Sequence, residues 1–113
     1  MAPADDHVRA LLGETLANDP RRRVDAVRSL PASLGPDEDD PLIEAGWDRV
    51  LELVEDPEPV VRRTVLHVLA AEAPVQRADD VERALRRLSD DEDDSLRRRA
   101  RKVHAQFRRA RAA

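Results

Sequence analysis

Three histidines, His7, His67 and His104, are the first residues to weigh for chemistry, and their spacing assembles nothing. No two fall where a pair of imidazoles would share a helix face, and zinc needs three or four converging ligands. The acidic runs Asp37 to Asp40 and Asp90 to Asp94 carry enough charge for calcium. They lack the alternating aspartates, the glycine and the closing glutamate of a calcium loop. Each run precedes a helical pattern, where carboxylates complement the positive end of the helix dipole, so capping is the expected role. Ser33, Ser89 and Ser95 sit in no nucleophile motif, Gly35 stands alone where a phosphate loop needs several glycines, and there is no cysteine. Neither catalysis, a metal nor a cofactor is expected.

What remains is positive charge. Residues 95–113 hold eight cationic side chains and no acid, so within a chain of net charge −4 the rest carries a formal −12. On a helix turning 100° per residue, Arg97, Arg101 and Arg108 fall on one flank, and Arg98, Lys102 and Arg109 on the next. Leu96, Ala100, Val103 and Phe107 form an apolar stripe opposite. Such a helix suits an acidic protein segment, a nucleic acid or an anionic membrane, or serves as a solubilising outer face part-neutralised by Asp79-Asp80 and Asp90 to Asp94. The net acidity and the scarcity of aromatics for base stacking (Trp47 and Phe107 alone) weigh against nucleic acid.

Those side chains must be positioned by helices. The 113 residues suit one domain spanning 1–113. A core of Leu, Val, Ala and Ile with two aromatics and three glycines fits helices packed on helices and not a strand-rich fold. The longest apolar stretches, such as Val68 to Ala71, are too short to span a membrane. Met1 to His7 carries acids and no apolar run, so no secretory signal is read there and a cytoplasmic location is expected. Asp19-Pro20, Asp40-Pro41 and Asp56-Pro57 each place a capping acid before proline at the first helical position. Asp79-Asp80 and Asp90 to Asp94 supply caps for two more helices. The pattern predicts six helices, at about 5–17, 20–34, 41–55, 57–73, 79–88 and 94–111.

Leu11, Leu12 and Leu16 mark the expected core face of the first helix, and Val24, Val27, Leu30 and Leu34 that of the second, which Pro31 should kink. Leu42, Trp47, Val50, Leu51 and Val54 spread around the third, with Trp47 read as a packing residue. Val61, Val65, Val68 and Leu69 line the fourth, and Val81, Ala84, Leu85 and Leu88 the fifth. Aligning Asp19, Asp56 and Asp91 exposes an internal repeat of 37 and 35 residues. Leu16, Leu53 and Leu88 then coincide, as do Val24, Val61 and Leu96, while Asp25 stands where the later copies have Arg62 and Arg97.

The stretch Asp56-Pro57-Glu58-Pro59-Val60-Val61-Arg62-Arg63-Thr64-Val65-Leu66-His67-Val68-Leu69 resembles the turn and second helix of the HEAT-repeat family. The resemblance covers about residues 5–110 and implies a short right-handed α-solenoid of three antiparallel helix pairs, with repeats at approximately 5–35, 41–73 and 79–111. It also implies that Asp56, Arg62, Asp91 and Arg97 form a structural ladder between neighbouring repeats. The concave surface of such a stack is lined by the second helices. Here these begin with Arg21 to Arg23, Arg62-Arg63 and Arg97 to Arg99. The expectation is a protein-binding scaffold whose arginines pair with an acidic segment. The alternative is binding of a nucleic-acid backbone by the same row. With Arg62 and Arg97 assigned to the ladder, Arg63, Arg98, Arg101 and Lys102 are the candidate contact residues. The end of the last helix, from Arg108, is expected to fray, and an exposed end of the stack could pair two copies.

Overall fold

Proline opens four of the helices, because the first turn needs no N–H and its fixed φ is already helical. In the computed structural model, which describes residues 3–35 and 39–113, α1 spans Pro3–Glu14, α2 Pro20–Ser33 and α3 Pro41–Glu52. Then come α4 at Pro59–Glu72, α5 at Ala78–Leu88 and α6 at Asp94–Ala112. Short 3-10 turns at Leu53–Glu55 and Val75–Arg77 continue α3 and precede α5. All described secondary structure is helical, with no strand among the described residues. Met1, Ala2 and Pro36 to Glu38 lie outside the description, and with them part of the N-terminal reading and of the run Asp37 to Asp40.

Asp19 caps α2 by accepting the Arg21 N–H at 2.9 Å, and Asp40 caps α3 through Leu42 at 2.9 Å. Asp93 caps α6 through Leu96 at 3.0 Å. That N–H and the Ser95 hydroxyl hold the Asp93 carboxyl below its usual range. At two starts the expectation needs correction. Helix α4 begins at Pro59 behind Glu58, not at Pro57, because Asp56 is engaged elsewhere. Helix α5 begins at Ala78 with no side-chain cap, so Asp79 and Asp80 lie inside its first turn. Pro31 stands in the last turn of α2, which stops at Ser33, so it closes that helix rather than dividing it.

The helices form two layers. Helices α1, α3 and α5 pack in one, α2, α4 and α6 in the other, and α1–α2 and α5–α6 pack across as pairs. The Cα extents of 41 × 35 × 16 Å describe a slab two helices thick. The core between the layers is aliphatic: Val27, Leu30, Val50, Val61, Val65, Leu66, Val81, Leu85, Leu88 and Leu96 are fully buried. Trp47 joins them. Leu16 does not, being 69% exposed, since α1 ends at Glu14 and the chain has already turned outward. His67 is exposed, while His104 is half-buried and its Nε2 has no hydrogen-bond partner. Among the described residues, no helix is long and apolar enough to cross a membrane.

Candidate functional site

One hydrogen bond recurs three times and sets the register of the second layer. The Nη1 of Arg23 donates to the carbonyl of Ala17 at 2.8 Å, that of Arg62 to Asp56 at 2.8 Å, and that of Arg97 to Asp91 at 3.0 Å. Each reaches back six residues, to the turn before its own helix. The remaining N–H groups of the first two arginines reach forward to the next turn. Arg23 grips Asp56 through Nε at 2.9 Å and Nη2 at 3.1 Å, and Arg62 grips Asp91 at the same two distances. Both carboxylates also accept a backbone N–H two residues on, from Glu58 and Asp93.

These buried pairs tie the N-terminal ends of α2, α4 and α6 side by side. Burial pushes the Asp91 carboxyl up, but the Arg62 guanidinium, the Asp93 N–H and Arg87 outweigh it and leave it below the ordinary aspartate range. Arg97 meets no further turn and pairs with Asp94 of its own helix. The arginine of the first segment is therefore Arg23. The alignment on Asp19, which put Asp25 at that place, is two residues out of register, and the equivalent of Asp56 and Asp91 is Ala17.

Rung arginines face inward, whereas Arg63 and Arg98 one place beyond them and Arg28, His67 and Lys102 five places beyond are exposed on the outer face of the layer. Two adjoining cavities lie there. One, of about 470 Å³, is lined by Arg28 of α2, by Val60, Arg63, Thr64, His67 and Val68 of α4, and by Arg99 of α6, with Glu72 at its far end. The other, of about 660 Å³, is lined by Arg63 again and by Arg98, Arg99, Lys102, Val103 and Gln106. Of the four residues singled out from sequence, Arg63, Arg98 and Lys102 meet on this face. Arg101 does not: its Nε donates to the Ser89 carbonyl at 3.1 Å, at the turn behind α5. Arg22 is also turned away, bonded twice to Glu14 at 2.7 Å.

Charge is arranged differently on the two layers. Across the α3–α5 side, Arg77 pairs with Asp48 and Asp80, Arg83 with Asp80, and Arg87 with Glu55 and Asp91. These arginines rim an apolar slot floored by Leu51, Val54 and Ala84, and their charge is neutralised within the fold. The Glu55 carboxylate pushes the Arg87 guanidinium further toward its charged form. On the α2–α4–α6 face, Arg28, Arg99 and Lys102 have no acidic partner among the described residues. Arg98 bonds only a backbone carbonyl of its own helix, and Arg63 approaches Asp93 at 3.6 Å. A row of donors, planar weakly hydrated guanidiniums with the Lys102 ammonium at one end, is left facing solvent. No cluster of three or more His, Asp or Glu suited to a metal occurs among the described residues.

Sequence reasoning missed Arg28, His67 and Arg99, which enter the face from three helices. Their signal was available once the rung arginines were known: Arg28, His67 and Lys102 each stand five residues after one. The far end of α6 also needs correction. It runs to Ala112 instead of fraying, with Arg111 held to Asp79 at 2.8 Å and lying over the Phe107 ring. No protein-family model matches the chain, and neither a curated protein nor a solved structure matches it at a significant level.

Proposed function

We propose that this chain is a small non-catalytic binding module, a HEAT-like stack of three helix pairs, whose α2–α4–α6 face captures an acidic protein segment. The observation that carries the reading is the unpaired cationic face. Among the described residues Arg28, Arg98, Arg99 and Lys102 have no acidic partner, whereas the arginines of the opposite layer are matched to acids. Guanidinium groups offer paired donors to carboxylates, and Val60 and Val68 supply apolar contact between them. The thrice-repeated bond from an arginine to the carbonyl six residues back supports the helix-pair reading.

The test is titration with an Asp-rich peptide, comparing the native chain with the Arg98→Glu, Lys102→Glu double variant. Both residues are exposed, so helicity by circular dichroism should be unchanged. Binding should fall at least tenfold, mostly through a slower on-rate. Unchanged affinity in the folded variant would remove the face from consideration. Tighter binding to duplex DNA than to the peptide, with affinity falling linearly in log–log form against salt, would favour the phosphate-backbone alternative.

A further inference from the structure

The spacing of the N–H donors on this face says what shape the captured segment has, an inference that rests on the reading above. Counted from the rung arginines Arg23, Arg62 and Arg97, which are held at one level by the same bonds, the fifth residue on is Arg28, His67 or Lys102. These three form a row running across the helices, one side chain per helix. All three line the two adjoining cavities. Packed helices stand about 8–10 Å apart, so the row has that period. A second row, one turn nearer the rungs, holds Arg63 and Arg98 at the first position after the arginine. In α2 that place is Val24, which is buried. Four residues of helix separate the rows by about 6 Å.

We infer that the ligand is an extended acidic peptide lying across α2, α4 and α6 between these two rows, with carboxylates at every third residue. In the polyproline-like form, three residues per turn bring every third side chain to the same side, and at about 3.1 Å per residue three residues advance about 9 Å, the step from one helix to the next. Its intervening side chains point to the other side, toward Arg63 and Arg98. A helical ligand is about 10–12 Å across, wider than the roughly 6 Å between the rows, and would rest on the side chains instead of entering between them. A run of like charges also extends itself before binding, so little order must be imposed on it. Arg28, His67 and Lys102 each offer N–H donors to one carboxylate.

The experiment compares two probes of equal charge and length: a short Asp-Pro-Ser repeat, which stays extended, and a Glu- and Ala-rich peptide stapled into a helix. The extended probe should bind at least tenfold more tightly. The Arg28→Glu, Lys102→Glu double variant, which strikes the two ends of the outer row, should lose at least tenfold for that probe. Arg101→Gln, outside the face, should change nothing. Equal or tighter binding of the helical probe overturns the extended geometry while leaving acidic-segment capture standing. Failure of the native protein to bind either probe overturns both.

Discussion

Nine residues before the rung arginines stand Glu14, Leu53 and Leu88, and one residue before them stand Arg22, Val61 and Leu96. In the middle and last helix pairs these positions are buried aliphatics. In the first pair they are an exposed, doubly hydrogen-bonded ion pair, in which Arg22 holds the Glu14 carboxyl below its usual range. The far side shows the same exchange. Trp47, Leu51 and Leu66 of the middle pair correspond to Glu82, Arg86 and Arg101 of the last. Trp47 and Leu66 are buried, whereas Arg86 and Arg101 are exposed. The difference follows cover: equivalent positions are apolar where another described helix lies against them and charged where none does.

The most severe way to break the comparison is to move the terminal chemistry inward. Leu53→Glu with Val61→Arg should abolish cooperative unfolding altogether, because the pair would enter a core with no water to solvate it. Val61→Asp or Leu96→Asp alone should do the same, since each buries an unpaired charge. Loss of the thermal transition in circular dichroism is the readout, and a native-like melt would mean these positions are not equivalent to a sealed interior.

Next in size are the rungs. Asp91→Ala leaves Arg62 buried without its carboxylate and should cost about 3–5 kcal/mol in urea unfolding. Asp56→Ala should cost less, because the Arg23 side chain is 11% exposed against 4% for Arg62. The same asymmetry has a pH signature. The folded-state pKa of Asp91 is depressed, so its contribution is complete above the ordinary aspartate value of about 3.9 and is lost as pH falls through the lower folded value. Acid titration of stability should show this loss in the native chain and a shallower slope in Asp91→Ala.

Moving the interior chemistry outward should be milder. Glu82→Trp, Arg86→Leu and Arg101→Leu together should preserve the fold but create an uncovered apolar end, so that sedimentation becomes concentration-dependent while that of the native chain does not. The smallest effect is at His67, which is exposed and makes no bond. His67→Ala should shift stability by less than about 0.5 kcal/mol, and a larger loss would place it in the packing.

The helices were legible because their starts are written in aspartate and proline, and Val61, Leu96 and Trp47 because period and size agree. Register in the first segment was not. Asp19 and Asp56 both precede a proline, yet Asp19 caps its helix while Asp56 spends both carboxylate oxygens on Arg23 and accepts the Glu58 N–H. Aligning on Pro20 and Pro59, the true first helical residues, places Arg23 on Arg62. Within the site, Arg98 and Lys102 were found because they share one flank of α6. Arg28 and Arg99 could not be joined by any helical wheel, since only packing brings α2 and α6 to either side of α4. Arg101 failed for the reverse reason: it lies on the same helix as its supposed partners, but the Ser89 carbonyl draws it to the other side.

The rungs all lie at one edge of the slab, where Arg23 and Arg62 bolt each inter-helix turn to the next. Among the described residues, the opposite edge, where α2 and α4 end, carries no such bolt. Helices α2, α4 and α6 are thus pinned to one another like the ribs of a fan, at one end only. A bending motion opens or closes the spaces between α2, α4 and α6 at their C-terminal ends while the spacing beside the rungs stays constant. Lys102, five residues beyond its rung, moves far less in such a motion than Gln106, nine beyond, so a bound segment would be measured against a fixed ruler at one side and a flexing one at the other.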